Sequence, residues 1–382
     1  MGKIDRVQRH RAELSMHILM IIDGLPGGGA EKVLLTLAQG LVSQGHRVSI
    51  FSLRGVCDYA LPEGIEYQII ADHAHTPWRK LTELSRRART LDKAVLASQQ
   101  RNGEFDLVVS HLHKTDRIVA RSRVLPRDRI WFCLHTMFSL GYLGHRKGLS
   151  RWLKRHKIHA LYQDRNIIAV SRGVLEDMCQ AFKVTPRQAE VIYNPFDFAA
   201  IRRLANAPCE LAGQDYVIHV GRLHENKRQD RLLKAYAESG IQAPLVILGK
   251  GSDAMLRRLQ SLAQDLQITD RMRFKAFNTN PYPYIRHARM LILSSDSEGF
   301  GNVLVEALIC HTPVVSTRCP GGPVEILDGD LSAGLAELSS ASLAKTMRAV
   351  YDRPPAILPS HLEAYEIATI CRQYIALAHN AS

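Results

Sequence analysis

The sequence predicts an α/β protein with two doubly wound domains, each built on a parallel sheet covered by helices. The chain has 382 residues, which is enough for two domains that each bury a core. Short apolar runs alternate with helical patterns along both halves, and a right-handed strand–helix–strand crossover places its two strands parallel in one sheet. The segment Asn194-Pro195-Phe196-Asp197 interrupts this alternation and separates the two halves.

The first half opens with an apolar run at 17–23, predicted to be a buried strand, and continues into the turn Gly24-Leu25-Pro26-Gly27-Gly28-Gly29. Apolar residues from Ala30 to Leu41 then recur on one helical face, and Gly45 is well placed to end that helix. A second strand at 46–53 completes the strand–helix–strand unit. Further strands are predicted at 105–110, 130–134, 167–170 and 190–193.

The second half repeats this scheme, with strands predicted at 216–220, 245–248, 272–277, 290–293 and 313–316. We therefore predict four parts: an N-terminal extension at 1–14 that could be disordered, a domain at 15–195, a domain at 196–360, and a C-terminal helix at 361–382. That helix could pack on either domain. Two doubly wound sheets side by side would place their strand carboxyl ends, and therefore a ligand, at the cleft between them.

Composition and charge narrow the class of protein. A hydrophobic content of 46% and a charged content of 23% exclude a disordered, collagen-like or disulfide-scaffold chain. The net charge of +13 favours acidic partners: nucleic acid, phosphorylated small molecules or an anionic membrane surface. The seven cysteines include no C-x-x-C pair, which predicts free thiols. The sequence has no long apolar run and its N-terminus is charged, so we predict a cytoplasmic protein.

The segment 294–308 carries the strongest chemical signal. A polar, glycine-containing loop follows the strand at 290–293, and an apolar helix begins near Asn302, which is a natural N-cap with free backbone N–H groups for an anion. Glu306 leans back toward that helix start, so Glu298 and Glu306 approach one pocket. Two carboxylates there would repel phosphate unless they bind hydroxyl groups, which points to a ligand with phosphates and sugar hydroxyls. A capped helix with two solvated glutamates is the alternative.

A basic loop, 221–227, follows the strand at 216–220 and precedes a helix. Arg222 and Lys227 therefore project from the carboxyl edge of the second sheet. Arginine can grip a phosphate through two hydrogen bonds, and lysine adds a point charge. A solvated basic loop is the alternative.

Three further positions are expected at strand ends. The turn with Gly28 and Gly29 lets backbone approach a ligand, although a structural tight turn explains it equally well; a dinucleotide fingerprint would need glycine at Lys32. His135 follows the strand at 130–134, where a polar edge residue is the simpler interpretation. Gly322 lies in a glycine-rich segment that could offer backbone N–H groups or form a plain turn. The sequence shows no HExxH pattern or His/Cys cluster, so we predict no metal.

These motifs resemble a known family. Glu298 and Glu306, with Gly299-Phe300-Gly301 between them, match the E-x7-E pattern of glycosyltransferase family 4. Other motifs of that family follow in order: Gly28-Gly29-Ala30-Glu31, Val170-Ser171, Val191-Ile192-Tyr193-Asn194-Pro195, Gly221-Arg222-Leu223 with Lys227, Leu248-Gly249-Lys250-Gly251-Ser252 and Pro313-Val314-Val315-Ser316-Thr317. The resemblance covers about residues 17–326 and implies the GT-B fold, two facing Rossmann-like domains with an interdomain cleft.

The resemblance also implies roles for the motif residues. Arg222 and Lys227 would hold the donor's diphosphate, Glu306 its ribose, and Glu298 and His135 the transferred sugar. Four of these five are the predicted catalytic residues: Arg222, Lys227, Glu298 and His135. Glu306 is grouped with the donor-binding set. That set is Gly28, Gly29, Gly299, Phe300, Gly301, Asn302, Val303, Glu306 and Gly322. The family retains the anomeric configuration, so no protein nucleophile is nominated.

We therefore predict a retaining hexosyl- or N-acetylhexosaminyltransferase. It would move a sugar from a nucleotide diphosphate sugar, most simply a UDP-sugar, to a lipid-linked, lipopolysaccharide or other surface-glycan acceptor, without cofactor or metal. A nucleotide-sugar epimerase on the same fold is an alternative. A nucleic-acid-binding protein is disfavoured because aromatic residues make up only 7% of the chain and form no basic–aromatic cluster.

The basic excess is concentrated in one stretch. Residues 114–172 hold 14 lysines and arginines against three aspartates. Within them, 149–160 combines apolar and basic positions in a pattern typical of helices that bind anionic lipid surfaces, although a solvated charged face has the same pattern. The protein could therefore lie peripherally on the inner face of the plasma membrane.

Overall fold

The computed structural model describes residues 15–72, 79–144, 146–276 and 278–379. The predicted extension at 1–14 lies outside them. The chain divides into two compact units. The first unit contains the described parts of Met1–Val170, Val174–Pro195 and Ile367–Ser382, and the second contains Ser171–Gly173 and Phe196–Glu366.

The first unit has a seven-stranded parallel sheet in the order β3-β2-β1-β4-β5-β6-β7. Its strands are β1 His17–Ile22, β2 Arg47–Ser52, β3 Ile65–Ile69, β4 Leu107–His111, β5 Ile130–Leu134, β6 Asn166–Ala169 and β7 Gln188–Val191. Strands β1, β4, β5 and β6 are buried along their whole length, as expected for a parallel sheet covered on both faces.

The second unit has a six-stranded parallel sheet in the order β10-β9-β8-β11-β12-β13. Its strands are β8 Val217–Val220, β9 Leu245–Leu248, β10 Met272–Lys275, β11 Met290–Leu293, β12 Val314–Thr317 and β13 Leu335–Ala336. In both sheets the strand order reverses beside the first strand, which is the doubly wound topology predicted from the sequence.

The helices cover these sheets. In chain order they are α1 Gly29–Ser43, α2 Arg79–Asn102, α3 His113–Val119, α4 Phe138–Gly141, α5 Gly148–Tyr162, α6 Arg172–Phe182, α7 Phe198–Ala205, α8 Gln229–Ser239, α9 Asp253–Asp265, α10 Tyr282–His287, α11 Asn302–Ile309, α12 Pro323–Ile326, α13 Ser340–Asp352 and α14 Ile367–His379. None of the described helices combines the length and the apolar character that crossing a bilayer requires.

Two strands escaped the sequence prediction. β3 is only partly buried and lacks a continuous apolar run, because it forms the edge of its sheet. β13 has two residues, too few for a recognisable pattern. The other strands were predicted within one or two residues of their observed bounds, the predicted end of β10 at Phe277 lying outside the described residues.

The C-terminal helix begins later than predicted and belongs to the first unit. Short 3₁₀ turns at Pro359–His361 and Glu363–Tyr365 precede it, so α14 starts at Ile367 rather than at residue 361. It packs closely on α1 at Gly40, where an added Cβ would lie 2.6 Å from Ile367 and 2.7 Å from Cys371.

Candidate functional site

In the second unit, Lys227 and Glu298 meet at the carboxyl ends of two neighbouring strands. Lys227 follows β8, Glu298 follows β11, and the two strands pair in parallel. Lys227 Nζ lies 2.6 Å from Glu298 Oε1, and Ser295 Oγ donates to the same oxygen at 2.5 Å. Both charged side chains are mostly buried, with exposures of 23% for Lys227 and 12% for Glu298. The structure thus brings together two of the predicted catalytic residues.

Hydrogen bonds fix the loop that carries Lys227 to the loop that carries Glu298. The backbone N–H of Asp296 donates to the Asn226 carbonyl at 2.9 Å, and Asn226 Nδ2 donates to the Ser297 carbonyl at 2.9 Å. Ser294 Oγ donates to the Lys227 carbonyl at 2.8 Å. These contacts position the Lys227 ammonium before any ligand binds. The sequence analysis did not single out Asn226 or Ser294.

An arginine pair braces the same loop from the side of α8. Arg231 donates to Asp296 Oδ1 at 2.6 Å and to the Ser294 carbonyl at 2.9 Å. Arg228 bonds both Asp296 and Asp230, and its pKa is raised chiefly by the hydrogen bond to Asp230. The negative charge of Asp296 is therefore balanced by the two arginines. Asp296 adds little repulsion to an anion that binds beside Glu298.

Arg222 is exposed at the same sheet edge, and its neighbours differ from those of Lys227. Among the described residues its side chain forms no ion pair with Glu298 or any other carboxylate, whereas its carbonyl accepts from Gln229 Nε2 at 2.9 Å. Gln229 Nε2 also lies 3.2 Å from Nε2 of His219. Burial lowers the pKa of His219 to about 4, so this ring is neutral at pH 7 and stabilises the loop without adding charge. The guanidinium of Arg222 is thus left available to an anion.

Glu306 is buried on α11, where Tyr282 OH donates to its Oε1 at 3.3 Å. Glu298 lies on the loop immediately before that helix, as the E-x7-E spacing requires. The predicted capping role of Asn302 is wrong. Gly301, with φ of 97°, is the N-cap, and Asn302 is the first helical residue, because the chain enters α11 through a left-handed turn that glycine adopts without strain.

The remaining predicted donor-binding residues of this unit surround the Glu298 loop. Phe300 is buried, with its ring 5.6 Å from that of Tyr365 and 6.3 Å from that of Phe196, while Gly299 and Val303 are partly exposed. An added Cβ on Gly322 would lie 2.0 Å from the Phe300 carbonyl oxygen. Backbone packing against the loop therefore explains the glycine at 322, in agreement with the structural alternative.

In the first unit, the predicted glycine loop forms the start of α1. Gly28 is its N-cap, and an added Cβ there would lie 2.2 Å from the Glu31 carboxylate. Tyr59 OH donates to the Gly28 carbonyl at 2.9 Å. The exposed Gly29 begins the helix. The turn is thus a tight bend at the start of α1, and its backbone lies after the end of β1.

His135 is paired with a histidine that the sequence analysis did not single out as its partner. His135 Nε2 lies 2.9 Å from His111 Nδ1, at the ends of the adjacent strands β4 and β5. Burial lowers the pKa of His135 to about 4. Burial, together with the neighbouring His135, also lowers the pKa of His111 well below its usual value, so both rings are neutral at pH 7. One ring therefore donates to the other, and neither contributes charge.

The same strand ends correct the statement that no His/Cys cluster exists. One potential ligand atom from each of His111, Cys133 and His135 lies within 4.8 Å of the others. Neighbouring strands bring these residues together, which local sequence spacing does not show. Burial raises the pKa of the Cys133 thiol to about 12, and the two imidazoles already bond each other, so the neutral hydrogen-bonded form is favoured. We assign no metal to this cluster.

Two family models match the chain. The model described as Glycosyltransferase Family 4 matches residues 27–200, and the model described as Glycosyl transferases group 1 matches residues 207–365. Together they cover most of both units.

Curated relatives and solved structures agree with these matches. Over 324 residues the chain is 28% identical to the N-acetylgalactosamine-N,N'-diacetylbacillosaminyl-diphospho-undecaprenol 4-alpha-N-acetylgalactosaminyltransferase of Campylobacter jejuni, covering 84% of this chain and 86% of that protein. It is 29% identical over 189 residues to the lipopolysaccharide 1,6-galactosyltransferase of Salmonella typhimurium, covering 47% and 51%.

Among solved structures, Anabaena HepE in complex with UDP and glucose is similar with a TM-score of 0.73 at 19% identity, covering 96% of this chain and 100% of that one. The apo form of the lipopolysaccharide outer core galactosyltransferase WaaB has a TM-score of 0.66 at 20% identity, covering 96% and 99%. At these identities the likeness shows the fold.

Proposed function

The chain belongs to glycosyltransferase family 4, with the GT-B fold of two parallel-sheet α/β domains, and on this premise we propose that it is a retaining enzyme. It transfers a hexosyl or N-acetylhexosaminyl group from a UDP-sugar to a lipid-linked or lipopolysaccharide-type glycan. The observation that carries the proposal is the carboxylate of Glu298 held by Lys227 and Ser295 at the carboxyl end of the second sheet.

The proposed chemistry requires stabilisation of a departing diphosphate. The bond from the anomeric carbon to the phosphate oxygen breaks, the acceptor oxygen bonds the same face of that carbon, and its proton passes to the leaving phosphate. Negative charge therefore grows on the diphosphate. An ammonium has three N–H donors, so Lys227 can hold Glu298 and still donate to phosphate, while Arg222 and the start of α11 at Asn302 add positive potential.

The two glutamates take the neutral parts of the donor in this proposal. Glu306 accepts from the ribose hydroxyls, and Glu298 accepts from hydroxyls of the transferred sugar, since carboxylates form strong charge-assisted hydrogen bonds with hydroxyl groups. From the first unit, we assign donor contacts to His135 and to the loop with Gly28 and Gly29. A neutral imidazole can donate to a sugar hydroxyl without repelling the positive charge that develops at the anomeric carbon.

Named relatives support the donor and acceptor classes. HepE was crystallised with UDP and glucose, which makes UDP the first donor nucleotide to test. The Campylobacter relative is named for a diphospho-undecaprenol acceptor and the Salmonella relative for lipopolysaccharide. Both acceptors join a glycan to a lipid.

Nucleotide binding tests this proposal. UDP is expected to raise the unfolding temperature more than GDP, ADP or CMP at equal concentration, since a ligand at a hundredfold excess over its Kd stabilises by about 2.7 kcal/mol.

Glu306→Gln should raise the donor KM about tenfold with little change in kcat, because it weakens a charge-assisted bond made before and during reaction. The exposed Glu363→Gln is the matched control. Equal stabilisation by all four nucleotides, or an unchanged KM, contradicts the assignment.

We also propose that α5 contacts an anionic membrane surface. Leu149 and Trp152 on this helix are 70% and 58% exposed, and Arg151 and Arg155 are exposed beside them. Apolar side chains left in solvent among basic ones are typical of helices that lie in a lipid interface.

Vesicle sedimentation measures this contact. Arg151→Gln with Arg155→Gln should lower binding to vesicles containing phosphatidylglycerol, because each basic residue near an anionic surface contributes about 1 kcal/mol. Lys183→Gln with Arg187→Gln removes the same charge from another exposed part of the first unit and should leave binding intact. Equal sedimentation of both double variants would mean that α5 is merely solvated.

A further inference from the structure

The first unit contains a cavity of about 940 Å³ beside α3 and α5. Six of its lining residues are basic and, among the described residues, none of the lining is acidic. The basic residues are Arg117, Arg121, Arg146, Lys154, Lys157 and Arg165. Such a concentration of one sign of charge in a concave surface attracts anions strongly.

These six cations lack the carboxylate partners that some other basic residues of the same unit have. Arg54 pairs with Asp23 at 2.8 Å and Arg129 with Glu104 at 2.9 Å. None of the six cavity cations forms an ion pair with a carboxylate of the described chain. Burial and the neighbouring Arg146 lower the pKa of Lys154, so the cations repel one another. A bound anion would relieve this repulsion.

A buried acid on α3 does not neutralise the cavity. Asp116 is fully buried and accepts from Ser110 Oγ and Tyr162 OH, each at 2.6 Å. Burial raises the pKa of Asp116 to about 8, so its carboxyl is mostly protonated at pH 7. His113 lines the cavity, and burial together with Arg117 and Lys154 lowers its pKa to about 4. The cavity charge thus comes from the six basic side chains alone.

Apolar surface adjoins this charge. Tyr142, Leu153 and Leu161 line the cavity with the basic residues, and Lys154 Nζ lies 3.8 Å from the centre of the Tyr142 ring. Leu149 lies one helical turn before Leu153 and is 70% exposed. An apolar strip therefore leads from the cavity into solvent. A small inorganic anion would not need this strip in order to bind.

We propose that this cavity binds the diphosphate of a lipid-linked acceptor, with the first part of its apolar chain lying on Leu153 and Leu149. The inference rests on the proposed glycosyltransferase function for its acceptor class. A diphosphate linker carries about two negative charges and several acceptor oxygens, which suits several guanidinium and ammonium groups better than a single phosphate does. Free diphosphates share the headgroup chemistry, and the apolar strip distinguishes the lipid-linked form.

Calorimetric titration with farnesyl diphosphate and with inorganic pyrophosphate tests the site without membranes. Wild-type protein should bind farnesyl diphosphate at least tenfold more tightly than pyrophosphate, because the apolar chain buries surface on the leucines. Arg117→Gln with Lys154→Gln should weaken both ligands about twentyfold or more, since two charge-assisted contacts are lost. Lys183→Gln with Arg187→Gln removes two exposed charges of the first unit outside the lining, and this variant should bind both ligands as wild type does.

A second variant isolates the apolar contact. Leu149→Gln, at a residue too exposed to affect folding, should weaken farnesyl diphosphate severalfold and leave pyrophosphate unchanged. Equal affinity of wild type for the two ligands, or unchanged binding by the cavity double variant, overturns the proposal. A cavity variant that loses only vesicle binding would also overturn it, in favour of a membrane-docking face.

The nucleotide experiment separates this inference from the function on which it rests. If UDP stabilises wild type and the cavity variant alike while farnesyl diphosphate fails to bind, the lipid-diphosphate site is wrong and the transferase proposal stands. If no nucleotide stabilises wild type, the proposed function itself fails.

Discussion

Replacing Lys227 by alanine is expected to lower kcat by about 10²- to 10³-fold, the loss typical of removing one preorganised group that stabilises transition-state charge. The Lys227 ammonium lies 2.6 Å from Glu298 and has further N–H donors for the departing diphosphate. Its removal also leaves the mostly buried Glu298 carboxylate without its cation. The uncompensated carboxylate then repels the donor phosphates from the same place. Both effects act on the same step, so turnover at saturating donor is the measurement.

Two variants control this experiment. Lys234→Ala removes an exposed lysine from α8 of the same unit and should leave kcat unchanged. Lys227→Arg keeps the charge in a longer planar group and should recover part of the loss. If Lys227→Ala turns over normally with an intact fold, Lys227 does not stabilise the diphosphate, and the interpretation of its pairing with Glu298 must change.

The sheet interiors could be predicted from the sequence because parallel strands buried on both faces leave continuous apolar runs. Ile130–Leu134, Leu245–Leu248 and Met290–Leu293 were predicted with the bounds that the structure has. The edge strand Ile65–Ile69 leaves no such signal, because it includes Glu66 and Gln68 and is partly exposed. Length also limited the prediction, since the two-residue strand Leu335–Ala336 was missed although Ala336 is buried.

The site could be predicted in part by the same topological argument. Lys227 and Glu298 are 71 positions apart, and only the rule that ligands gather at strand carboxyl ends brings them to one place. That rule does not give the hydrogen bonds from Asn226 and Ser294, which depend on loop conformation. The contact between His111 and His135 was also not predicted, because it depends on the pairing of β4 with β5.

Gly321→Ala is expected to destabilise the second unit by about 4 kcal/mol or more and to abolish stabilisation by UDP. Gly321 has φ of 106°, and an added Cβ would lie 1.6 Å from the Glu298 carbonyl oxygen. These two residues form a parallel bridge, and the Glu298 N–H donates to the Pro320 carbonyl at 3.1 Å. The methyl group cannot be accommodated unless the Glu298 loop moves, and that movement would separate the carboxylate from Lys227. Denaturant unfolding with and without UDP measures both consequences.

Gly213→Ala separates the clash from backbone strain. Gly213 also has a positive φ, 77°, but an added Cβ meets nothing within 4 Å, so only the left-handed conformation is penalised, by about 1–2 kcal/mol. UDP should still stabilise this variant. If both alanine variants lose equal stability and both still bind UDP, the close approach of the 321 backbone does not position Glu298. The contacts of the Glu298 loop with Asn226 and Lys227 would then be sufficient to position it.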